Sequence, residues 1–550
     1  MARTAEITGS RVMPSLDGQL SGGREGSADF QVFLRNRGAI AMGNKALFLL
    51  PQLFDKTHHY IIASLGGTFD YPFTRDALIS AHLTRKALET FFGGFPLNRP
   101  DLIANESLET IPRVVDIGAG SILQEVGDRI KRSNTFFSDH QKSNGAYPHE
   151  MQPYQKGHPF LKSKFYTWKR GDEFMLNSDS IDATPRALME AVNTLSSEEV
   201  AAFYPKAEKA FNWIIRNMRE HHGFLAYEGN LKGLMSQGWM DSQQGRPLDQ
   251  HGDIIPGSVA LIEVQAQVWS AMTRWVYLLE KTFPDTPENK KYHIKARQLR
   301  KEAQALKARF NNALLNGQEN PHTFRTPDGY FAHALVYPPG QSVPIQDMRV
   351  SINAGIALEA DHHGETIFAN NEDIKHIVHN LLSSTMFHEE AGIFTFDRNS
   401  VHDGSGEDPI NQHPDGYHFG KNVCWPFASL LAAEGILKTA YVMQWAEGIA
   451  LGMKAMGASL MPMLNTQTFL EQFTYVPESN SYVRFKHHTD TGEEKFSNVT
   501  QTWTVAAFLR AITYFGLLDQ LDFSYFKEGE DIVAPIPSLR RLPSSQIVPN

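Results

Sequence analysis

The residues best suited to chemistry are carboxylates set among aromatic and glycine residues. The segment Gln237-Gly238-Trp239-Met240-Asp241-Ser242 places an aspartate close to an indole and next to a hydroxyl. Partial burial against Trp239 would raise the pKa of Asp241, because an apolar environment disfavours the charged carboxylate. A carboxyl that keeps its proton near neutral pH can serve as a general acid. A capped turn, in which Asp241 or Ser242 bonds local N–H groups, is the stronger interpretation of this segment taken alone.

Hydrolysis of a glycosidic bond requires a second carboxylate across the sugar ring. Three places in the C-terminal third offer one. Glu471 lies in the apolar and aromatic stretch 469–473, Glu478 follows Pro477, and Glu493-Glu494 stands beside a Thr-Gly pair. The Glu493-Glu494 pair has the composition of a solvated turn. Spacing alone does not choose between Glu471 and Glu478.

The elements that must position these carboxylates are long helices. Ser196 and Glu199 have capping-box spacing at one helix start. Clear period-two strands are few, and no repeat of fixed period occurs. We therefore predict an all-α fold, an (α/α)6 toroid with short irregular strands in loops only. Apolar residues at helical spacing predict helices near 76–92, 207–218, 264–279, 289–314, 373–384, 427–437, 440–458 and 501–518.

The domain organisation predicted from composition is one catalytic domain with two tails. Residues 1–30 are rich in Gly, Ser and Thr and predict a flexible arm, and residues 528–550 form a Pro/Ser-rich tail. Residues 31–527 show no composition break and predict a single (α/α)6 domain.

Charge and hydropathy exclude several classes of partner. The net charge of -9 and the absence of dense Lys/Arg runs argue against nucleic acid. No apolar run approaches the roughly 20 residues of a membrane span, and no signal-peptide segment occurs, so we expect a cytoplasmic protein. A single cysteine, Cys424, excludes an intramolecular disulfide. A homo-oligomer remains open.

Metal and cofactor sites are not predicted. Adjacent histidines point apart on a helix or strand, and no histidine pair has a suitably spaced carboxylate beside it. The oxygen-rich loop 397–408 lacks the ligand spacing of an EF-hand. The histidine pairs are His58-His59, His221-His222, His362-His363 and His487-His488.

A series of motifs resembles one family in content and in order. The chain is similar to the glucosidase portion of glycogen-debranching enzymes and to bacterial amylo-α-1,6-glucosidases, which are six-hairpin glycosidases. Each motif is weak by itself, but their order across residues 68–515 is specific. The matching segments are Phe73–Leu78, Gly145–Met151, Ser180–Pro185, Gln237–Ser242, Ile262–Ala266, Tyr417–Pro426, Leu470–Phe473 and Gln501–Thr504.

The resemblance implies roles for these residues. Asp241 would be the general acid and Glu471 the base of an inverting pair, about 6.5–9.5 Å apart. Glu263 and Gln265 lie two positions apart on a helix and do not share a face, and we favour Gln265 for the pocket. The residues expected to bind substrate are Arg75, Asp76, His149, Glu150, Asp182, Trp239, Gln265, His418, Trp425, Gln501 and Trp503.

Some of these residues also have purely structural interpretations. Arg75 and Asp76 would clamp vicinal hydroxyls, or Asp76 would only complement a helix dipole. Asp182 would line the pocket or simply cap the next helix. Of the three tryptophans, one or two would form a stacking platform and the third would be core.

The departures from the family concern the substrate. The chain has Phe427-Ala428 where the family has His-Asp after Trp-Pro, and Leu470 where it has Pro. Arg75 comes too early to leave room for an N-terminal β-sandwich, which favours a small substrate. We expect an exo-acting hydrolase that releases a terminal α-glucosyl or α-mannosyl residue. Candidate substrates are α-1,6-glucosides and compatible solutes such as glucosylglycerol or glucosylglycerate. The alternatives are a sugar epimerase, a lyase or a sugar-binding protein.

Overall fold

The computed structural model describes most of the chain between residues 34 and 521. The predicted arm and tail, the loop 398–415, the His58-His59 pair, Ser242 and Glu493 lie outside the described residues. The gaps are 36–37, 56–59, 65–71, 92–118, 154–165, 168–173, 178–179, 230–233, 235, 242–245, 249–252, 313, 316–317, 327–328, 398–415, 421, 489–493, 499 and 518–519.

Helices dominate the described part of the chain, where twelve have seven residues or more. They are α1 (Ala39–Leu49), α2 (Thr74–Phe91), α3 (Ala119–Asp139), α4 (Ala183–Thr194), α5 (Ser197–Glu220), α6 (Ile262–Thr282), α7 (Lys290–Asn311), α8 (Asn353–Glu359), α9 (Asn371–Leu381), α10 (Pro426–Val442), α11 (Ala446–Thr466) and α12 (Thr502–Tyr514).

The even-numbered helices form a closed inner ring. Helix α2 packs on α4, α4 on α6, α6 on α8, α8 on α10, α10 on α12, and α12 returns to α2. The odd-numbered helices pack outside: α1 on α12, α3 on α2 and α4, α5 on α4 and α6, α7 on α6, α9 on α8, and α11 on α10. This alternation of six inner and six outer helices confirms the predicted (α/α)6 toroid.

Inner and outer helices differ in how they are buried. Every residue of α8 is buried, as is α10 from Pro426 to Ala440. The outer helices α5 and α7 bury one apolar stripe each and expose the opposite face. Helix α8 and this part of α10 therefore have no exposed face.

Helix boundaries follow local backbone features. Ser196 and Glu199 form the predicted capping box, with the Ser196 N–H donating to Glu199 at 2.9 Å, and it begins α5. Between α10 and α11 the chain turns at Gln444, whose φ is 54°. Helix α11 continues through Pro462 to Thr466, so the predicted end at residue 458 is wrong.

The strands are short and lie in the connections, as predicted. A four-stranded antiparallel sheet, with strands in spatial order, contains Tyr227–Glu228, Ser258–Leu261, Ala334–Tyr337 and Ile345–Asp347. A three-stranded sheet contains Val423–Cys424, Phe473–Val476 and Ser481–Val483, and another contains Glu150–Pro153, Phe174–Asn177 and Tyr166–Thr167. Short hairpins pair Leu314–Leu315 with Gln318–Glu319, Phe387–His388 with Gly392–Ile393, and Lys486–His488 with Glu494–Phe496. None of the described helices is both long and apolar enough to cross a membrane.

A network of buried ion pairs joins the inner helices. His82 of α2 lies between two carboxylates, with Nδ1 3.2 Å from Glu190 of α4 and Nε2 3.0 Å from Glu359 of α8. Lys438 of α10 donates to the Glu359 carbonyl at 2.9 Å and pairs with Asp361. Because these charges are removed from water, each requires its partner.

The same network continues to the remaining inner helices. Arg510 of α12 pairs with Glu434 of α10 at 2.9 Å, and Arg274 of α6 donates to the Asp361 carbonyl at 2.6 Å. Burial raises the pKa of Glu434, but Arg510, Lys86 and Lys438 outweigh it and lower the pKa to about 2. The network therefore holds its carboxylates ionised at neutral pH.

Removing Glu359 tests this network. Glu359→Ala leaves His82, Arg186 and Lys438 facing one another without their shared anion. We expect the free energy of unfolding to fall by about 3–5 kcal/mol, as measured in urea. Glu372→Ala is the matched control, because the Glu372 side chain is 80% exposed and its pair with Lys375 is solvated. Equal losses in the two variants would show that the network contributes nothing specific.

Candidate active site

The amino-terminal ends of the inner helices meet at Trp239. Its Nε1 donates to Asn353, the first residue of α8, at 2.6 Å. Asn353 Nδ2 in turn donates to Glu263, at the start of α6, at 2.8 Å. The Trp239 ring also packs edge-on against Trp425 and Phe427 at the start of α10. One tryptophan thus contacts the starts of two inner helices and connects through Asn353 to a third.

The other three inner helices reach the same place. Phe427 stacks on Trp503 of α12 with ring centroids 3.7 Å apart, and Arg75 of α2 lies 5.6 Å from the Trp503 ring. The charges of Asp182, which directly precedes α4, and Arg75 interact. All six amino-terminal ends therefore lie at one rim of the ring, and we call this cluster the amino-terminal rim.

The three tryptophans of the site are all buried. Trp239, Trp425 and Trp503 pack on one another and on Phe427. Trp425 also stacks flat against His418, with centroids 4.7 Å apart. All three thus belong to one buried aromatic cluster, and their division into stacking platform and core stays a prediction.

Arg75 makes four hydrogen bonds at the amino-terminal rim. Its Nη1 donates to the Gly238 carbonyl at 3.0 Å, and Nε and Nη2 donate to Asp76 Oδ1 at 3.1 and 2.9 Å. Nη2 also donates to Asp241 Oδ2 at 2.9 Å. A Cβ at position 238 would collide with Leu261, so glycine allows this backbone to lie close enough to α6.

The structure overturns the predicted pKa shift of Asp241. Burial raises its pKa, but Arg75, His149 and His418 outweigh burial, and the pKa lies below its ordinary value. His149 Nε2 stands 3.5 Å from Asp241 Oδ2. The Asp241 side chain is nevertheless 21% exposed, against 3% for Arg75. Asp241 is thus an ionised carboxylate with one side open to solvent.

Glu471 lies in a different environment. Tyr417 donates to its Oε1 at 2.5 Å, and the backbone N–H and Nδ2 of Asn498 donate to Oε2 at 2.7 and 3.0 Å. Burial raises the pKa of Glu471, and these donors and His418 offset the rise only in part. Glu478 is exposed in the turn after Phe473–Val476. The structure therefore places Glu471, and not Glu478, at the amino-terminal rim.

Two further aspartates share the rim. Burial, helped by the charges of Asp241 and Glu471, raises the pKa of Asp76 to about 7 against the opposing effect of Arg75. Asp182 occupies the N-cap position of α4, but its side chain makes no capping bond, and its Oδ1 accepts from Ser180 at 2.5 Å. Burial raises the pKa of Asp182 as well. The helix-capping interpretation of Asp182 is therefore wrong.

His149 and Glu150 approach the rim from a strand. His149 is buried, and its ring packs edge-on against Phe73 with centroids 5.4 Å apart. Its Nδ1 has no hydrogen-bond partner among the described residues. Burial lowers the pKa of His149 to about 4, so the ring is neutral at pH 7. Glu150 accepts from Gln152 at 2.7 Å. Gln501 is buried and accepts from Asn498 Nδ2 at 3.4 Å, next to Glu471.

Gln265 does not face the site, which corrects the sequence prediction. Its Nε2 donates to the carbonyls of Leu225 and Leu261 at 2.9 and 3.1 Å, and its Oε1 accepts the Leu225 N–H at 3.0 Å. The Gln265 amide group is thus occupied by hydrogen bonds to the backbone. Glu263 faces the rim instead, and burial with the nearby charge of Asp182 raises its pKa to about 8. Its Oε1 has no hydrogen-bond partner within the part of the chain that the structure describes.

Four residues of the rim were not predicted as site residues. Tyr417 stood inside a matching motif, and Glu263 was set aside in favour of Gln265, so both had a signal. Asn353 and Asn498 had none, because each joins the site through contacts made only in the folded chain. Within the described part of the chain, no group of three or more His, Cys, Asp or Glu residues could hold a metal ion.

Comparison with known proteins leaves the family open. No family model matches the chain, and no curated protein matches it. Among solved structures, it is similar to a GH63 mannosylglycerate hydrolase from Thermus thermophilus in complex with glucose, with 12% identity over 85% of this chain and 99% of that chain and a TM-score of 0.45. It is also similar to an unsaturated glucuronyl hydrolase from Bacillus sp. GL1, with 12% identity over 87% of this chain and 95% of that one and a TM-score of 0.40. The function must therefore be inferred from the site itself.

The buried Glu263 generates a prediction about stability and pH. Its folded pKa of about 8 lies above the value of an exposed glutamate, so the unfolded chain loses the proton first as pH rises. Glu263 therefore costs stability above about pH 4.5, and the cost grows until about pH 8. We expect Glu263→Gln to raise the free energy of unfolding by on the order of 2 kcal/mol at pH 8. Urea unfolding at pH 4, 6 and 8 measures the gain, and a gain independent of pH would contradict this assignment.

Proposed function

We propose that this protein is an inverting, exo-acting glycoside hydrolase in which Asp241 is the general acid and Glu471 the general base. The observation that carries the proposal is the pairing of these carboxyls at one rim. The charges of Asp241 and Glu471 each raise the pKa of Asp76, and the charge of His418 acts to lower the pKa of Asp241 and of Glu471. Two carboxyls that flank a sugar can protonate the leaving oxygen and activate a water.

The surroundings of Glu471 suit a general base. Three donors from Tyr417 and Asn498 fix the orientation of its two oxygens. A carboxylate held in this way directs a lone pair at one position, where it can take a proton from a water at hydrogen-bond distance. The raised pKa also makes the ionised Glu471 a stronger base.

Asp241 has the accessible edge that a proton donor needs. Its partial exposure contrasts with the burial of Arg75 and Glu471. A bound sugar would cover that edge and remove water, and loss of water raises the proton affinity of a carboxylate. On this proposal, Asp241 is ionised in the free protein and takes up its proton as substrate enters.

The remaining groups of the amino-terminal rim suit a neutral sugar. Asp76, Asp182 and His149 present oxygen and nitrogen atoms suited to hydroxyls, next to the fixed Arg75. The acidic side chains at the rim outnumber the cations, which disfavours an anionic sugar. We therefore propose a terminal α-glucosyl or α-mannosyl residue, carried by a small glycoside such as glucosylglycerol, glucosylglycerate or an α-1,6-glucoside.

The acid role predicts a dependence on the leaving group. Asp241→Asn should lower turnover of unactivated α-glucosides by about 10²–10⁴-fold, because their leaving oxygen must be protonated. Turnover of α-glucosyl fluoride should fall far less, because fluoride leaves without a proton from Asp241. Initial rates with both substrates on the wild type and the variant measure the difference.

The base supplies the matched comparison. Glu471→Gln should lose activity towards both substrates, and added azide should restore glycosyl transfer, because azide needs no base. If instead Glu471→Gln kept its turnover of α-glucosyl fluoride, and azide restored activity to Asp241→Asn, the roles of the two residues would be exchanged. Binding without turnover in the wild type would identify a sugar-binding protein instead.

The proposed stereochemistry gives a separate prediction. A single displacement by water converts an α-glucoside into β-glucose. Proton NMR of the first minutes of hydrolysis should show the β-anomeric signal before mutarotation. Initial release of α-glucose would contradict the inverting mechanism while leaving the hydrolase activity standing.

A further inference from the structure

We propose that Asp76 is a positioning residue that competes with Asp241 for Arg75 and thereby controls whether Asp241 holds its proton. This inference rests on the proposed function, in which Asp241 is the proton donor, and it adds a residue that controls the protonation of that donor. It concerns the protonation of Asp241, and not the binding of sugar hydroxyls that is expected of an Arg-Asp pair.

The geometry is that of one donor shared by two acceptors. Arg75 Nη2 lies 2.9 Å from Asp76 Oδ1 and 2.9 Å from Asp241 Oδ2. Nε of the same guanidinium also bonds Asp76, and Nη1 is held by the Gly238 carbonyl. The guanidinium therefore cannot turn to serve one carboxylate without losing a buried bond. Its single positive charge is divided between two negative groups.

The consequence for the proton follows from the charges. When Asp76 is ionised, it offsets part of the Arg75 charge and repels a second anion, so Asp241 binds a proton more readily. When Asp76 is protonated, Arg75 is left to Asp241, which stays ionised. The pKa of Asp76, raised to about 7, means that Asp76 changes charge in the neutral range. The lowered pKa of Asp241 keeps it ionised there in the free protein, so the effect of Asp76 on its proton applies once bound substrate excludes water.

Other charged groups face the pair from each neighbouring element. His149 approaches Asp241 from the side of the strand Glu150–Pro153, and His418 from the helical turn Gly416–Phe419. Asp182 acts on Arg75 and Asp241 from the start of α4, and Glu471 acts on Asp76 from its loop. Through-space charge couples these groups to the pair, whereas Asp76 and Asp241 both accept hydrogen bonds directly from Arg75.

The proposed catalytic step moves one proton from Asp241 and one proton to Glu471. The protonated Asp241 gives its proton to the glycosidic oxygen, the C–O bond breaks, and its electron pair stays on the leaving oxygen. Water attacks the anomeric carbon and yields its proton to Glu471. Asp241 is left as a carboxylate beside Arg75, and solvent supplies the next proton.

The test is a titration of Asp76 in the free protein, which needs no activity. With ¹³C-carboxyl-labelled aspartate, the Asp76 signal is assigned by its loss in Asp76→Asn. We expect Asp241→Asn to move the Asp76 midpoint to lower pH by about one unit, because Asp241 then neither repels the Asp76 charge nor shares Arg75. Asp241→Glu, which keeps the charge, should stay near the wild type. Asp373→Asn, which removes an Arg-paired aspartate of α9, is the distant matched control and should not shift it.

The outcomes separate this inference from the proposed function. An unmoved or raised Asp76 midpoint in Asp241→Asn overturns the competition, whether or not the protein hydrolyses glycosides. If Asp241→Asn does not fold, Arg75→Lys takes its place, because an ammonium cannot reproduce the shared bonds, and the Asp76 midpoint should rise. With substrate, the alkaline limb of kcat, which reports the substrate complex, should move to lower pH in Asp76→Asn. A sugar-contact role alone would lower kcat at every pH and leave the limb in place.

Discussion

The buried guanidinium of Arg75 is the constraint on which the amino-terminal rim depends. A cation so far from water must be matched by anions and carbonyl oxygens, and Arg75 finds them in Asp76, Asp241 and the Gly238 carbonyl. These bonds tie the start of α2 to a loop distant in sequence. They set the backbone at Gly238, and this in turn places Trp239 among the other helix starts.

The ring has an electrical polarity that matches this arrangement. The amino-terminal ends of the inner helices carry partial positive charge, and the aspartates and glutamates of the rim lie there. The lysines and arginines of the ion-pair network lie further along the same helices, towards the ends that carry partial negative charge. Carboxylates thus offset the helix dipoles at the rim, whereas further along the cations pair with Glu359, Asp361 and Glu434 of the same network.

The sequence predicted the elements that obey a local rule. The outer helices α5 and α7 show an apolar stripe, and Ser196 shows its capping box, so both were found from spacing. Helix α8 was not, because it is seven residues long and buried on all sides. The motifs likewise predicted which residues gather at the rim, including Arg75, Asp182 and Trp239, because these motifs lie at or beside the helix starts.

Side-chain direction and electrostatics could not be predicted from local spacing rules or motifs. Gln265 and Glu263 differ by two positions on α6, and only the backbone of Leu225 decides that Gln265 turns away. The pKa of Asp241 was predicted from Trp239, its neighbour in sequence, whereas the closest charge is Arg75, which no local pattern pairs with it. Asn498 reaches Glu471 through a contact that no spacing rule describes.

Closure of the ring has a consequence for how the protein is made. Helix α12 is the last inner helix along the chain, and it packs against α2, the first. Glu471, Gln501 and Trp503 all belong to this final stretch. During synthesis, the early helices must wait on the ribosome with an unfilled apolar flank until the last segment emerges, a long-range contact that slows folding and invites aggregation. A ribosome-bound chain stopped before α12 would hold Asp241 but no complete rim, so the ring and the proposed site are completed together.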